Sequence, residues 1–236
     1  MFPKRCAIGY NEAMELKEHE VIEDLQYSGL KIIRDTRGFT YGTDSVLLAN
    51  FMRAKEREKV LDLGAGTGIL SILVNGKTKA LVTAVEIDEN MCHMLRRSVK
   101  MNGQEEGIQV ICADLRDLKT ALNAGGFDAA VCNPPYFAAG TKSESDQRRA
   151  STHQDTCTVY DIAACAKRLL KNGGRLNLVY PAALLIEAIH ALRENHIEPK
   201  RIQMVFTRRG TPPHVALIEA KKGGRTGLIW EEPIFL

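Results

Sequence analysis

Val60-Leu61-Asp62-Leu63-Gly64-Ala65-Gly66-Thr67-Gly68 is the stretch that decides the architecture of this chain. A short apolar run reads as a strand, the glycines follow at once, and an apolar helical pattern from Ile69 to Asn75 begins behind them. Glycines at such a junction let the backbone turn sharply and bring a ligand close to the main chain at a sheet's carboxyl edge. The loop departs from a dinucleotide fingerprint, because its third glycine comes one residue too early for G-x-G-x-x-G.

Working outward, the same alternation continues. Leu81–Glu86, Ile108–Ala113 and Phe127–Cys132 read as strands, with a helix over Glu89–Met101. A further helix over Val159–Leu170 stops at Asn172-Gly173-Gly174, a helix-end signal. Arg175–Tyr180, Ile202–Thr207 and His214–Glu219 read as three more strands. Alternating strands and helices imply right-handed crossovers, so the expected fold is α/β with a doubly wound, mostly parallel, seven-stranded Rossmann-like sheet. Upstream, Leu30-Lys31-Ile32-Ile33 and Phe39-Thr40-Tyr41 read as a short hairpin. A helix through Val46, Leu47, Leu48, Phe51 and Met52 follows it, with Thr43 or Asp44 as a cap. Residues 1–20 form an N-terminal extension, and 21–236 one domain with its core over about 57–222.

The 236 residues are 44% hydrophobic and 26% charged, ordinary values for a globular protein, with a formal net charge of +3. No apolar stretch approaches the roughly 18–20 residues of a membrane span, and no secretory leader pattern opens the chain, so the expectation is cytoplasmic. The six cysteines form no C-x-x-C pair. His153 and Cys157 alone are too few to hold an ion, and no metal is expected.

Chemistry-bearing residues gather at strand ends. Asp62 precedes the glycine loop. Glu86 ends the next strand, 22 residues beyond Gly64, where a carboxylate can accept from both ribose hydroxyls of a nucleoside. Asp114, after the third strand, can accept from an adenine amino group; singly, Glu86 and Asp114 also read as helix caps. At the fourth strand end stands Asn133-Pro134-Pro135-Tyr136. Two prolines cannot sit in a central strand or a helix interior, so the chain must turn rigidly there. The turn offers an amide, an unpaired carbonyl and an aromatic ring to one small volume, a set suited to a planar amine. The polar, aperiodic segment Ala139–Thr156 behind it reads as a long functional or disordered loop.

Asp62 through Gly68, Glu86, Asp114 and Asn133-Pro134-Pro135-Tyr136 together resemble the class I S-adenosylmethionine-dependent methyltransferases that act on an exocyclic or amide nitrogen. Phe39-Thr40-Tyr41-Gly42-Thr43-Asp44-Ser45-Val46-Leu47-Leu48-Ala49 is similar to a segment of the bacterial tRNA1(Val) (adenine-37-N6)-methyltransferases. Arg148-Arg149-Ala150 and Pro213-His214-Val215-Ala216-Leu217 resemble that family too. The resemblance implies S-adenosylmethionine as methyl donor and the N6 of an adenine in a tRNA anticodon loop as acceptor. Asp62, Gly64, Gly66, Gly68, Glu86, Asp114 and Asn133 would then hold the donor. For Thr43 and Asp44 a helix cap and a cover over the donor's methionine end weigh equally. Guanine-N2 methylation of ribosomal RNA and N5 methylation of a protein glutamine remain alternatives, the latter usually accompanied by an N-terminal helical bundle. A degenerate, non-catalytic RNA-binding module is the reading outside enzymes.

An aryl amine is a poor nucleophile because its lone pair is delocalised into the ring. Acceptance of its hydrogens by the Asn133 side chain and the Pro134 carbonyl would turn that lone pair out of the ring plane. Asparagine is no base near neutral pH, so alignment and electrostatics carry the expected rate enhancement. Tyr136 is expected to stack on the base, a contact of about 1–3 kcal/mol, and Phe137 to be a pocket wall or a buried neighbour. Such a base must leave its stack, which is easiest in a single-stranded loop. Lys200 to Arg225 holds seven basic residues against one acid, Glu219. Arg208, Arg209, Lys221 and Lys222 in that run, with Arg148 and Arg149 in the loop, are the expected phosphate contacts.

Overall fold

Nine strands form the main sheet of this computed structural model, which describes residues 16–37, 43–118, 121–134 and 157–236. The sheet begins with β3 (Lys59–Leu63), β4 (Leu81–Glu86), β5 (Ile108–Cys112) and β6 (Phe127–Cys132). β7 (Leu170–Pro181), β8 (Ile197–Phe206) and β9 (Val215–Lys222) complete the seven long strands. Two-residue strands β10 (Ile229–Trp230) and β11 (Ile234–Phe235) both add to the outer edge of β8. The order is β5-β4-β3-β6-β7-β9-β8, parallel from β5 to β7, with β9 antiparallel to both of its neighbours.

Alternation along the strands divides the core in two. Leu61 and Leu63 of β3, with Ala130 and Cys132 of β6, face α4 (Val159–Leu169) and α5 (Leu185–Glu194). Val60, Ala129 and Val131 share the opposite core with α1 (Thr43–Phe51), α2 (Ile69–Thr78) and α3 (Glu89–Met101). Helices on both faces of a largely parallel sheet are the doubly wound arrangement that the sequence pattern anticipates. Asp88 caps α3 through Asn90 N and Met91 N, and Thr158 and Asp161 form a capping box on α4. Among the described residues no helix is long and apolar enough to cross a membrane.

Four expectations about elements are corrected. The hairpin pairs β2 (Lys31–Asp35) with an upstream strand, β1 (Glu20–Asp24), and Phe39–Tyr41 lie outside the described residues. Glu20-Val21-Ile22-Glu23-Asp24 is too acidic to read as a strand, but Arg97 meets Glu20 at 2.7 Å and Arg34 pairs with Glu23. Asn172-Gly173-Gly174 does not cap α4. Leu170 is already extended and pairs with Phe127, and these residues fall where the β6–β7 register shifts, with Gly173 at φ +79. The third correction is α5, absent from the sequence reading because Leu184 supplies no side-chain cap. Its Ala188, Ala191 and Leu192 carry the i, i+3, i+4 spacing that would have disclosed it. Thr43 and Asp44, lastly, stand within the first turn of α1 rather than before it.

Candidate active site

Register brings the candidate residues into a row. Leu63 pairs with Val85 and Glu86 with Cys112, while Asp62 pairs with Val131. The chain therefore leaves β3 at Gly64, β4 after Glu86, β5 before Asp114 and β6 at Asn133, all along one carboxyl edge, with neighbouring strands about 4.8 Å apart. The chain steps from β3 outward to β4 and β5, then returns to β6 on the other side of β3. Gly64 and Asn133 flank that reversal, the place in an open α/β sheet where a crevice forms.

The glycine loop is built from φ angles of +73, +55 and +96 at Gly64, Gly66 and Gly68. Each lies in the left-handed region that a side chain disfavours. Gly64 N and Ala65 N both donate to Val85 O at 2.9 Å, which ties the loop to β4. Gly68 has a packing reason as well: a Cβ there would lie 1.9 Å from Leu95 Cδ1 of α3. At Gly64 and Gly66 a Cβ would meet nothing within 4 Å among the described residues.

Asp62 lies beneath this loop with 0% of its surface exposed. Ser71 Oγ of α2 donates to its Oδ2 at 2.6 Å, and its Oδ1 has no partner among the described residues. Burial, helped by the charge of Glu86, pushes the carboxyl up to about 7 against the Ser71 hydrogen bond. Glu86 is buried too, and backbone N–H groups hold both of its oxygens. Gly66 N donates to Oε2 at 2.8 Å, and Ile87 N and Asp88 N donate to Oε1 at 2.9 Å. The carboxylate thus pins the glycine loop to the end of β4, and three donors leave room on its roughly four lone-pair sites for another.

Asp114 takes the capping role that is the second of its two sequence readings. Arg116 Nε and Nη2 bracket its carboxylate at 2.6–3.0 Å, and Arg116 N donates to Oδ1 at 2.8 Å. Asp114 therefore caps the single 3-10 turn Leu115–Asp117, and the guanidinium holds its carboxyl below the usual range. An adenine amino group would share this acceptor with Arg116.

Asn133 is half-buried and Pro134 is buried. Asn133 Nδ2 donates to Ser45 Oγ at 2.8 Å, a contact between the end of β6 and the first turn of α1. Sequence reasoning singled out Thr43 and Asp44 and missed Ser45, whose burial is the difference. Thr43 is exposed and Asp44 intermediate, whereas Ser45 is only 7% exposed. Tyr136, Phe137, Arg148 and Arg149 lie outside the described residues.

The basic run from Lys200 to Arg225 is not one patch. β8 runs parallel to β7, so Arg208 and Arg209, just past its end, lie on the same carboxyl edge as Asn133. β9 runs the other way. Lys221 pairs with Arg175 and Lys222 with Ile197, both toward the amino edge, and Lys222 Nζ is bound to Leu170 O at 2.7 Å. Eight residues of β9 separate the ends by about 24 Å at ~3.4 Å per residue. Lys221 and Lys222 therefore do not flank the crevice. Arg209 sits 5.0 Å from the centroid of Phe235, which stacks on Phe206.

Comparison with known proteins agrees with this fold. The profile of the methyltransferase small domain family matches residues 39–201. The chain is 27% identical over 187 residues to the tRNA1(Val) (adenine(37)-N6)-methyltransferase of Shewanella woodyi, covering 78% of this chain and 77% of that one. Its fold is similar to that of a predicted O-methyltransferase from Agrobacterium tumefaciens, with a TM-score of 0.66 and 24% identity, covering 81% and 86% of the two chains. M. jannaschii TYW2, solved in complex with AdoMet, superposes with a TM-score of 0.61 at 18% identity over 89% of each chain. The loop, the strand-end acids and Asn133 stand along one carboxyl edge of a doubly wound sheet, and the chain belongs to the methyltransferase small domain family.

Proposed function

We propose that the protein transfers a methyl group from S-adenosylmethionine to the exocyclic N6 of adenine 37 in the anticodon loop of a tRNA of the tRNA1(Val) type. The observation that carries this reading is Asn133, half-buried at the end of β6 beside the glycine loop at the sheet's reversal point. The Shewanella woodyi relative, a tRNA1(Val) (adenine(37)-N6)-methyltransferase, supports the choice of adenine and of tRNA.

The residues present fit the donor. Among the described residues, nothing stands within 4 Å of where a Cβ at Gly64 or Gly66 would lie, and Asp62 Oδ1 is a buried acceptor without a partner. Gly64, Gly66 and Gly68 would let the donor lie against the main chain, while Asp62 and Glu86 would accept from its polar hydrogens. Asp114 would serve the adenine end while sharing its carboxylate with Arg116, and Thr43 and Asp44 would border the methionine end. When bound, S-adenosylmethionine supplies an electrophilic sulfonium methyl. Asn133 and the carbonyl of Pro134 would hold the acceptor amine, with Tyr136 stacked on its base and Phe137 along the pocket wall. Arg208 and Arg209 would meet phosphates on the carboxyl edge, as would Arg148 and Arg149. Residues 21–236 would act as one catalytic domain behind the N-terminal extension, in the cytoplasm where tRNA is found.

Asn133→Ala tests the reading. Removing one preorganised electrostatic contact at a reacting centre typically costs about 10²–10³ in turnover. We expect a fall of that size in N6-methyladenosine formed on tRNA, with donor affinity within about twofold of the parent. Unchanged turnover would overturn the assignment.

A further inference from the structure

We infer that Ser45 is a positioning residue, holding the carboxamide of Asn133 in the plane the acceptor amine requires. The inference rests on the reading of Asn133 given above and adds to it a residue from a separate element. Ser45 stands 88 positions away in the sequence, in the first turn of α1, and its Oγ accepts from Asn133 Nδ2 at 2.8 Å.

A serine in the first turn of a helix ordinarily faces water or serves its own backbone. This one is only 7% exposed, and its hydrogen bond crosses to β6. A carboxamide carries oxygen and nitrogen at opposite ends of one plane, and its last torsion is soft and roughly two-fold. Rotation about that torsion would turn the N–H groups toward the amine, setting donor against donor. The hydrogen bond from Nδ2 to Ser45 opposes that rotation and keeps the nitrogen end of the carboxamide toward α1. The support is rigid on both sides. Pro134 follows Asn133 and restrains its backbone to extended conformations. On the other side Leu48, Ala49, Phe51 and Met52 of and after α1 are buried in the core.

The position of α1 is therefore communicated directly to the catalytic amide. A misplacement of about 1 Å at such a group can lower a rate by ~10²-fold. Ser45→Ala removes the acceptor and substitutes a good helix former, so the helix itself is retained. We expect kcat for methyl transfer to tRNA to fall about 10- to 100-fold, with the KM for S-adenosylmethionine within about twofold of the parent. A double-mutant cycle supplies the second readout. Because Ser45 acts through Asn133, Ser45→Ala should slow the Asn133→Ala enzyme no further. A parental kcat in Ser45→Ala overturns the inference, as does an equal further loss in the Asn133→Ala background. If Asn133→Ala itself retains full turnover, the failure belongs to the underlying reading of the site.

Discussion

The two ends of the central sheet carry similar residues and use them in opposite ways. Asp62 near the carboxyl edge and Asp128 at the amino edge stand on adjacent parallel strands, β3 and β6. Burial and the Glu86 charge lift Asp62 to about 7, and its Oδ1 has no partner among the described residues. Burial also acts upward on Asp128, but Lys171 at 2.6 Å and the Lys59 N–H at 2.9 Å outweigh it, leaving that carboxyl below its ordinary value. One end closes its charges among themselves; the other keeps polar atoms uncommitted. A sheet that places loops and helix N-termini at its carboxyl edge concentrates unsatisfied groups there, and ligands meet them.

The largest effect expected from this contrast is one of opposite sign with pH. An acid whose folded pKa is raised is stabilised while protonated. Its contribution is fully present below its unfolded value near 4 and is lost as pH rises toward 7. At ~1.36 kcal/mol per unit, the shift at Asp62 sets an upper bound on the order of 4 kcal/mol. Asp62→Asn should therefore flatten the fall in unfolding free energy between pH 4 and 7, measured by denaturant melts at stepped pH. For Asp128, whose folded pKa is lowered, the contribution is present above the unfolded value and lost as pH falls through the folded one. Asp128→Asn should thus lower stability at neutral pH and converge on the parent in acid. Parallel pH profiles for the parent and both variants would break the comparison.

Glycines at the two ends give the next effect. Gly68→Ala must hold φ near +96 and drive a methyl to within 1.9 Å of Leu95 Cδ1, so about 3 kcal/mol should be lost and the melting temperature should drop. Gly103, after α3 at the amino edge, has φ +62 and open space around it. Gly103→Ala should cost only the left-handed backbone preference, about 1–2 kcal/mol. Equal losses at both positions would mean that the Gly68–Leu95 contact does not constrain the loop.

The smallest effect concerns the basic residues. Reversing Arg208 and Arg209 to glutamate should weaken tRNA binding about tenfold or more and lower the slope of its salt dependence. Reversing Lys221 and Lys222 should leave tRNA affinity within about twofold, because these residues face the other end of the sheet. Equal losses for both pairs would reverse that placement.

The basic run also marks where sequence ceases to be a guide. Seven positive residues between Lys200 and Arg225 form one cluster on paper. The antiparallel step from β8 to β9 sorts them to opposite edges, and strand direction cannot be read from charge. By contrast, β4, α3 and β6 begin and end as their apolar patterns predict, because buried periodicity is written directly in the residues. The glycine loop was legible for the same local reason, since three positive-φ positions demand glycine. Ser45 was not legible. Its distinction from Thr43 and Asp44 is burial against a strand 88 residues away, and nothing in Thr43-Asp44-Ser45 itself records that. Asp114 was legible as a strand-end acid, but its commitment to Arg116 depends on the 3-10 turn that follows.

The central claim is that the carboxyl edge presents a single adenine amine to a methyl donor. The most direct measurement is methyl transfer from labelled S-adenosylmethionine to two tRNA1(Val) transcripts, one with adenine and one with guanine at position 37. Nucleoside mass spectrometry should find N6-methyladenosine in the first and no label in the second. Label in both transcripts, label on guanine N2, or no N6-methyladenosine in the first would contradict it.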